Sequence, residues 1–334
     1  MMSGIEGATP SRLRLSPSPS TQDPILDLMV TPLVYELPAF FLGLLFGSFL
    51  NVCISRLPDH RSLSKPRSHC PHCSNTIAWY DNIPLLSWIL LRARCRHCQQ
   101  PISWRYPAVE LSFALWLTFA ARTAFPLLKP GISTDLFAAT LIDATALAIL
   151  GFLLIGLLVM DWQTHTLPDA FTLTGTLLGF LLLCARAATL PPHAYDLLLH
   201  GHNPLTSVGG TIDNGNVILT GSEHLVLGRI LGIALAAGLL LFIRFAYKAL
   251  RHREGLGLGD IKLVAMITAF LGFWLAAFAI FLGFILCAAY ALTLIARRRA
   301  TATTHLPLGA FLAIGGLVAA ILGAPVIAWY ASLF

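Results

Sequence analysis

"LFAATLIDATALAILGFLLIGLLVM", from Leu136 to Met160, is an uninterrupted apolar stretch with one charged side chain, Asp143. An α-helix needs about 20 mostly apolar residues to cross the hydrocarbon core of a bilayer. This stretch is long enough to do so, and it therefore predicts a membrane-spanning helix. We interpret Asp143 as an exposed residue near the outer end of that helix.

Similar apolar stretches lie on both sides of this segment. The 334 residues are 56% hydrophobic and 11% charged, whereas soluble domains carry about 25% charged residues. One stretch, Ile261–Ala296, is too long for a single span and contains "FLGFW", so we divide it into a short helix and a longer one. The other predicted spans are Leu33–Ile54, Ala108–Leu128, Leu136–Met160, Ala170–Thr189, Leu225–Leu250 and Leu306–Leu333. The prediction is an all-α polytopic membrane protein with about eight transmembrane helices.

Lysine and arginine are unevenly distributed among the loops. They are frequent in residues 57–106, in "YKALRHREG" and in "ARRR", and absent from residues 191–224. Since cytoplasmic loops carry the excess of basic residues, we predict that the first three segments are cytoplasmic and that the amino terminus is periplasmic. This distribution also accounts for the net charge of +6, so no nucleic-acid partner is predicted.

The chain divides by composition into a tail, a loop domain and a helical bundle. The Ser/Pro-rich tail is predicted to be disordered and not a cleaved signal peptide. The histidines of the polar periplasmic linker are interpreted as solvated residues rather than metal ligands. The predicted boundaries are 1–31 for the tail, 32–56 for transmembrane helix 1, 57–106 for the cytoplasmic loop domain and 107–334 for the bundle, which includes the linker 191–224.

The loop domain contains two CxxC motifs, "CPHC" and "CRHC". On the reducing side of a membrane, paired CxxC motifs indicate a metal site rather than disulfides. Four thiolates close a tetrahedral Zn²⁺ site and leave no open position, so the metal is expected to be structural. His72 and His97 are alternative ligands that we favour less. The predicted zinc ligands are Cys70, Cys73, Cys95 and Cys98.

Two aspartates are placed by this topology at the cytoplasmic boundary. Asp161 ends the predicted third helix and Asp260 begins the sixth. Acids within spanning segments are costly and mark functional sites. Two carboxylates that meet in a partly dry site share one proton, which allows one to activate water and the other to protonate a leaving group. We therefore predict an aspartyl dyad that hydrolyses an amide bond.

Three further polar residues are candidates for supporting this site. Glu110 begins the second helix, where an acid in the first turn of a helix is an equally good interpretation. Asp169 follows Pro168 and is interpreted first as a helix cap, while Lys262 is interpreted first as an interfacial anchor. Each is retained as a candidate for tuning the dyad.

The alternating glycines of "EGLGLGDIKL" precede Asp260. They match neither a P-loop nor GxGxxG, and the chain has no HExxH or GxSxG motif. Glycine permits irregular backbone and close approach of a second chain. We therefore predict that Gly257 and Gly259 give a substrate backbone room to reach Asp260.

Five landmarks occur together and in order from about Phe46 to the last helix. They are "GSFLNVCISRLP", the two CxxC motifs, "ISWRYPAVEL", "DWQTHTLPD" and "GLGLGDIKL". In these the chain resembles the bacterial type IV prepilin peptidases, which are bifunctional leader peptidases and N-methyltransferases.

The resemblance implies a GxGD aspartyl peptidase of the bacterial inner membrane whose catalytic residues are Asp161 and Asp260. The implied substrates are prepilins and pseudopilins of type IV pili or type II secretion, with pilus or secretion components as further partners besides membrane lipid. It also implies cleavage at the cytoplasmic face and methylation of the new amino terminus with S-adenosylmethionine. The chain departs from the family at Gln163, where many members have a second acid, and at Ala93, where many have glycine.

Two other functions remain open at this point. One is a peptidase without methyl transfer. The other is a non-catalytic scaffold for a pilus or secretion machine, which has no need for two acids at one membrane face.

Overall fold

The computed structural model describes residues 24–65, 67–125, 131–189, 222–252, 256–298 and 306–333. Within these ranges the regular structure is helical, apart from two isolated β-bridges in the loop domain. A 3₁₀ turn spans Trp79–Asn82. The helices are α1 (Pro24–Arg56), α2 (Leu86–Leu90), α3 (Arg105–Ala124), α4 (Thr134–Thr164), α5 (Asp169–Thr189), α6 (Ser222–Arg251), α7 (Leu258–Leu271), α8 (Phe273–Ala296) and α9 (Leu308–Ala331).

Each of the eight predicted spans contains a helix. Five of the helices, α1, α4, α5, α6 and α8, are long and apolar enough to cross a membrane. The described residues therefore form an all-helical membrane protein, while eight spans stay a prediction. The division of Ile261–Ala296 falls at Gly272, whose φ of 86° ends α7 and begins α8.

The predicted boundaries differ from the helix ends at several places. Helix α1 begins at Pro24, inside the predicted tail 1–31, and residues 1–23 lie outside the described residues. Most of the linker 191–224 lies outside them too, although α6 begins at Ser222 within it.

Helix α7 lies at the centre of the bundle. It has only 14 residues and contacts α4, α5, α6, α8 and α9. Leu263, Val264 and Met266 are fully buried. Because a helix rises about 1.5 Å per residue, α7 is about 21 Å long, which is shorter than a hydrocarbon core of about 30 Å. The outer helices surround it and expose large apolar side chains such as Phe242 and Leu250.

Helices α1 and α3 pack closely because α1 carries a GxxxG motif. An added Cβ would lie 2.5 Å from the Ala114 backbone at Gly43 and 2.7 Å from the Glu110 backbone at Gly47. Small residues spaced by four allow helix backbones to approach in this way. The contact fixes the start of α3 beside the carboxyl-terminal half of α1, where the loop domain begins.

At the far end of the bundle from Asp161, acids are paired with arginines. Arg186 contacts Asp143 at 2.6 Å and Arg122 contacts Glu36 at 3.6 Å. Asp143 is exposed, as predicted, and it is also ion-paired. The buried Arg229 donates to the carbonyls of Thr268 and Ala269 in the last turn of α7. The last carbonyls of a helix have few donors within it. Arg229 supplies one to Ala269, while the Thr268 carbonyl also accepts from the Gly272 N–H.

Candidate active site and adjoining metal cluster

Asp161 lies in the last turn of α4 and is 5% exposed. Its Oδ2 accepts a hydrogen bond from the Ala310 backbone N–H at 2.8 Å. Ala310 belongs to the first turn of α9, where free N–H groups and the helix dipole favour a negative charge. The carboxylate is therefore held by backbone rather than by a cationic side chain.

Asp260 occupies the first turn of α7. Its Oδ2 accepts from the Gly257 backbone N–H at 3.3 Å, which is the acidic half of a capping box. An acid at this position stabilises the helix start, and the capping hydrogen bond orients its side chain. Gly259, the neighbour of Asp260, and Gly309, the neighbour of the Asp161 carboxylate, both lie against Leu167, so the two predicted dyad members belong to the same region of the bundle.

Leu167 and two glycines determine how closely the connection between α4 and α5 packs against the starts of α7 and α9. An added Cβ would lie 3.1 Å from Leu167 Cβ at Gly259 and 2.8 Å from Leu167 Cδ1 at Gly309. At Gly309 it would also lie 3.0 Å from Asp161 Oδ2. The connection between α4 and α5 thus packs against the starts of both α7 and α9, and there is little space for side chains at these two glycines.

The other predicted supporting residues fall into two places. Lys262 Nζ donates to Asp169 Oδ1 at 2.6 Å, joining α7 to α5. Neither residue hydrogen-bonds Asp161 or Asp260 in the described part of the chain. Glu110 is buried at the start of α3, where it accepts from the Leu85 N–H at 2.9 Å. Its surroundings are a cavity beside the loop domain and not the two aspartates.

That cavity has a volume of about 600 Å³. It lies between the loop domain and the facing sides of α1 and α3, and the end of α4 reaches it through Gln163. Arg105 donates to Gln163 Oε1 at 2.6 Å. Gln163 therefore connects the loop domain to the helix end that carries Asp161.

The four predicted zinc ligands come together in the loop domain. The Sγ atoms of Cys70, Cys73, Cys95 and Cys98 lie within 4.8 Å of one another, and no histidine joins this cluster among the residues described. Four converging thiols are the donor set of a structural metal site. The cluster can therefore hold a metal ion.

The two CxxC motifs have the same local backbone structure. The residues four after the first cysteine of each, Ser74 and Gln99, have φ values of 58° and 56° and donate to the carbonyls of Cys70 and Cys95. N–H groups of Cys98 and His97 lower the pKa of the Cys95 thiol to about 6, whereas desolvation and the neighbouring cysteines raise the pKa of the Cys98 thiol to about 12. Metals bind thiolates, so this turn prepares a ligand at neutral pH.

Ala93 has a φ of 57° in the turn before the second CxxC motif. This left-handed conformation costs an L-residue roughly 1–2 kcal/mol and suits glycine. The departure from glycine noted in the sequence therefore places alanine in a conformation that disfavours it.

Sequence reasoning missed the contacts that the start of α9 makes with Asp161. Gly309, Ala310 and Leu167 were not among the predicted site residues, although they position Asp161. The available signal was "LPLGAF", a glycine directly after a leucine–proline–leucine sequence at the start of an apolar segment.

Comparisons with known proteins find matches along most of the chain. Residues 41–124 match the Bacterial Peptidase A24 N-terminal domain and residues 147–292 match the Type IV leader peptidase family. A prepilin leader peptidase/N-methyltransferase from Aeromonas hydrophila is 32% identical over 91% of this chain and 96% of its own length. One of the same description from Myxococcus xanthus is 37% identical over 70% of this chain and 55% of its own length. No solved structure matches the chain significantly.

Proposed function

Because this chain belongs to the type IV leader peptidase family, we propose that Asp161 and Asp260 are the catalytic dyad with which it cleaves the leader peptides of type IV prepilins and pseudopilins. The chain is a peptidase that also has N-methyltransferase activity. The observation that supports the dyad is that two carboxylates from distant segments lie on helix ends in the same region of the bundle, beside Leu167, and that each accepts a backbone N–H.

The two aspartates take different roles in this mechanism. Asp161 accepts the Ala310 backbone N–H at a helix start, which favours its ionised form. It takes a proton from water, whose oxygen forms a bond to the scissile carbonyl carbon. Asp260 holds the shared proton and supplies it to the leaving amine as the carbon–nitrogen bond breaks.

The absence of nearby fixed cations supports this proton sharing. Neither Asp161 nor Asp260 forms an ion pair with lysine or arginine in the described residues. A cation would keep both carboxylates ionised, and an ionised pair has no proton to give the leaving group. The hydrogen bond from the Ala310 backbone amide holds Asp161 in place without removing this acid–base capacity.

The position of the dyad in the membrane follows from the loop domain. Arg105, at its end, bonds Gln163 two residues after Asp161, so the basic loop and the dyad share one end of the bundle. Basic loops face the cytoplasm. We therefore place the dyad at the cytoplasmic face of the bacterial inner membrane, with a periplasmic amino terminus.

Zn²⁺ is the ion that best fits the cysteine cluster, because four thiolates match its preferred tetrahedral sulfur ligands. The ion would tie together the two CxxC turns, which are separated by 21 residues. Since the four cysteines fill its coordination, its role is to hold the loop domain beside α1 and α3.

S-adenosylmethionine is the proposed methyl donor, and it supplies a methyl group carried on a sulfonium. The acceptor is the α-amine that leader cleavage releases. S-adenosylmethionine would supply its methyl group to the nitrogen of that amine. A scaffold without catalysis is disfavoured by the paired aspartates.

The test is mass spectrometry of the amino terminus of a prepilin co-expressed with this chain. The proposal expects loss of the leader and an added methyl group of about 14 Da. A cleaved but unmethylated product would leave a peptidase alone, and an uncleaved prepilin would overturn the peptidase proposal. A prepilin co-expressed with the double variant Asp161→Asn and Asp260→Asn is the matched control.

A further inference from the structure

The short helix α2 in the loop domain exposes a face made only of large apolar side chains. Leu86, Ile89 and Leu90 are 49%, 64% and 71% exposed, and residues spaced by three and four lie on one side of a helix. The other side is fixed to the loop domain by Ser87, which is buried and whose hydroxyl donates to the Tyr80 carbonyl at 2.8 Å. The three apolar side chains therefore face away from the loop domain.

Helix α3 runs antiparallel to α1, and two contacts fix the register between them. The Glu110 backbone lies beside Gly47, where an added Cβ would be 2.7 Å from it. Four residues nearer the end of α1, Asn51 donates to the carbonyl of Tyr106, which is four residues nearer the start of α3. A residue beside the start of α3 can therefore be assigned a depth along α1, which is long and apolar enough to cross a membrane.

Helix α2 begins at the level of Gly47. The N–H of Leu85, its N-cap residue, donates to the Glu110 carboxylate at 2.9 Å, and Glu110 lies beside Gly47. Gly47 precedes Arg56, the last residue of α1, by nine positions, which is about 14 Å along the helix. Phe46, at the same level of α1, is 48% exposed. The start of α2 thus lies at a depth where a spanning helix is surrounded by lipid.

The end of α2 lies nearer the membrane surface. The Trp88 indole donates to the Ile102 carbonyl at 3.3 Å, and the Ile102 N–H donates to the Ala93 carbonyl at 2.7 Å. Since Ile102 precedes the first residue of α3 by three positions, the register places it close to the end of α1. Arg92 and Arg94, on either side of Ala93, are exposed. The basic residues therefore lie at the level where α1 ends.

This change from apolar to basic along α2 matches one leaflet of a phospholipid bilayer. Interfacial helices bury their apolar face about 5–10 Å into the boundary between headgroups and acyl chains. Arginine side chains near such a boundary extend to the headgroups, whose phosphates are negatively charged. Trp104, directly before α3, is 74% exposed, and tryptophan is enriched at membrane–water interfaces.

We propose that α2 anchors the loop domain in the membrane, with its apolar face against phospholipid acyl chains and with Arg92 and Arg94 on the phosphates. In the orientation proposed above, the leaflet is the cytoplasmic one. Phospholipid is the occupant because the apolar face lies at the depth of the spanning part of α1 and the arginines lie at the level of its end. The anchor does not depend on either catalytic activity.

Photolabelling from within the bilayer tests the anchor. The full-length chain is reconstituted in vesicles of phosphatidylethanolamine and phosphatidylglycerol that contain a phospholipid with a diazirine in its acyl chain. After irradiation and digestion, labelled residues are mapped by mass spectrometry, with the exposed side of α6 as internal reference. Label on residues 86–90 should exceed label on the exposed polar residues 59–61, directly after α1, by at least about fivefold. Equal label on both segments, or label on α6 without label on residues 86–90, would overturn the anchor.

A triple variant distinguishes lipid from protein as the occupant of the face. Leu86→Gln, Ile89→Gln and Leu90→Gln together make the face polar, and glutamine still favours a helix. Label on residues 86–90 should fall by at least about fivefold relative to α6, because the apolar surface that favours burial is lost. If the unaltered chain has no lipid label there and forms a dimer in detergent that the triple variant dissociates, the face belongs to a second copy and the anchor is wrong.

A double variant tests the contacts with phosphate. Arg92→Gln with Arg94→Gln should lower the label on residues 86–90 by about two- to fivefold, because two cations no longer attract the anionic surface. Arg61→Gln is the matched control, since Arg61 lies in the same domain and is paired with Asp59 at 2.5 Å, and it should leave the label unchanged. Undiminished label in the double variant would overturn the role of the two arginines.

Discussion

Helix α4 carries an acid near each end, and the two carboxylates have different kinds of partner. Asp143 is paired with Arg186 at 2.6 Å. Asp161, 18 residues later and thus about 27 Å along the helix, is held by a backbone N–H group of α9. An arginine fixes a carboxylate in its charged form, whereas an amide hydrogen bond positions it and leaves proton exchange possible. The comparison teaches that an ion pair with arginine distinguishes a structural acid from one that is free to take the proposed catalytic role.

The largest effect on leader cleavage is expected when either aspartate of the proposed dyad is replaced. Asp161→Asn or Asp260→Asn should lower the rate of leader cleavage by at least about 10³-fold, because the amide neither accepts nor supplies the exchanged proton and acid–base steps contribute about 10²–10⁴ each. Cleavage is followed by gel shift of a prepilin, and size-exclusion chromatography in detergent reports the fold. Asp143→Asn is the matched control and should retain cleavage; equal losses in all three variants would remove the distinction.

A smaller loss of cleavage is expected when the start of α9, which contacts Asp161, is altered. Gly309→Ala should reduce cleavage by about 10²-fold, because the new methyl group meets Asp161 Oδ2 and Leu167 and displaces the carboxylate by a fraction of an ångström to an ångström. The control is Gly238→Ala in α6, where an added Cβ meets nothing within 4 Å. Wild-type kinetics for Gly309→Ala would show that this close approach does not position the dyad.

Loss of the proposed metal ion is expected to affect the loop domain, which lies at the same end of the bundle as the proposed dyad. Cys70→Ser with Cys98→Ser removes two of the four thiolates, whose Sγ atoms lie 3.7 Å apart. The zinc content measured by elemental analysis should fall from one equivalent to none, and the loop should become sensitive to protease. Cys184→Ser, outside the cluster, should keep one equivalent. A metal-free unaltered chain would refute the zinc assignment.

The smallest effect tests the structural acid. Arg186→Gln breaks the pair with Asp143, whose side chains are 26% and 51% exposed. Pairs this exposed contribute about 0.2–1 kcal/mol, so the melting temperature should fall by a few degrees at most while cleavage persists. A loss of cleavage without any change in melting temperature would give this end of the bundle a functional role.

The sequence predicted most of what depends on composition and local spacing. Apolar length located the helices, and CxxC spacing located the cysteine cluster. The acids were singled out because charge is rare in spans, but whether Asp161 and Asp260 catalyse stays a prediction. Contacts between distant segments were out of reach, because periodicity does not reveal which helix start will face which acid. Gly309 was missed for this reason, and the surroundings of Glu110 depended on how α1 packs against α3.

The shortness of α7 has a consequence for how the protein enters the membrane. A helix of 14 residues is too short to be recognised as a span by itself, and Arg229 from α6 donates to two carbonyls of its last turn. We expect α7 to be inserted together with α8 as one hairpin bent at Gly272, after α6 is already in place. The packing of the helices would thus determine the order in which they are inserted. Asp260 would come near Asp161 only after the hairpin and α9 have both packed into the bundle.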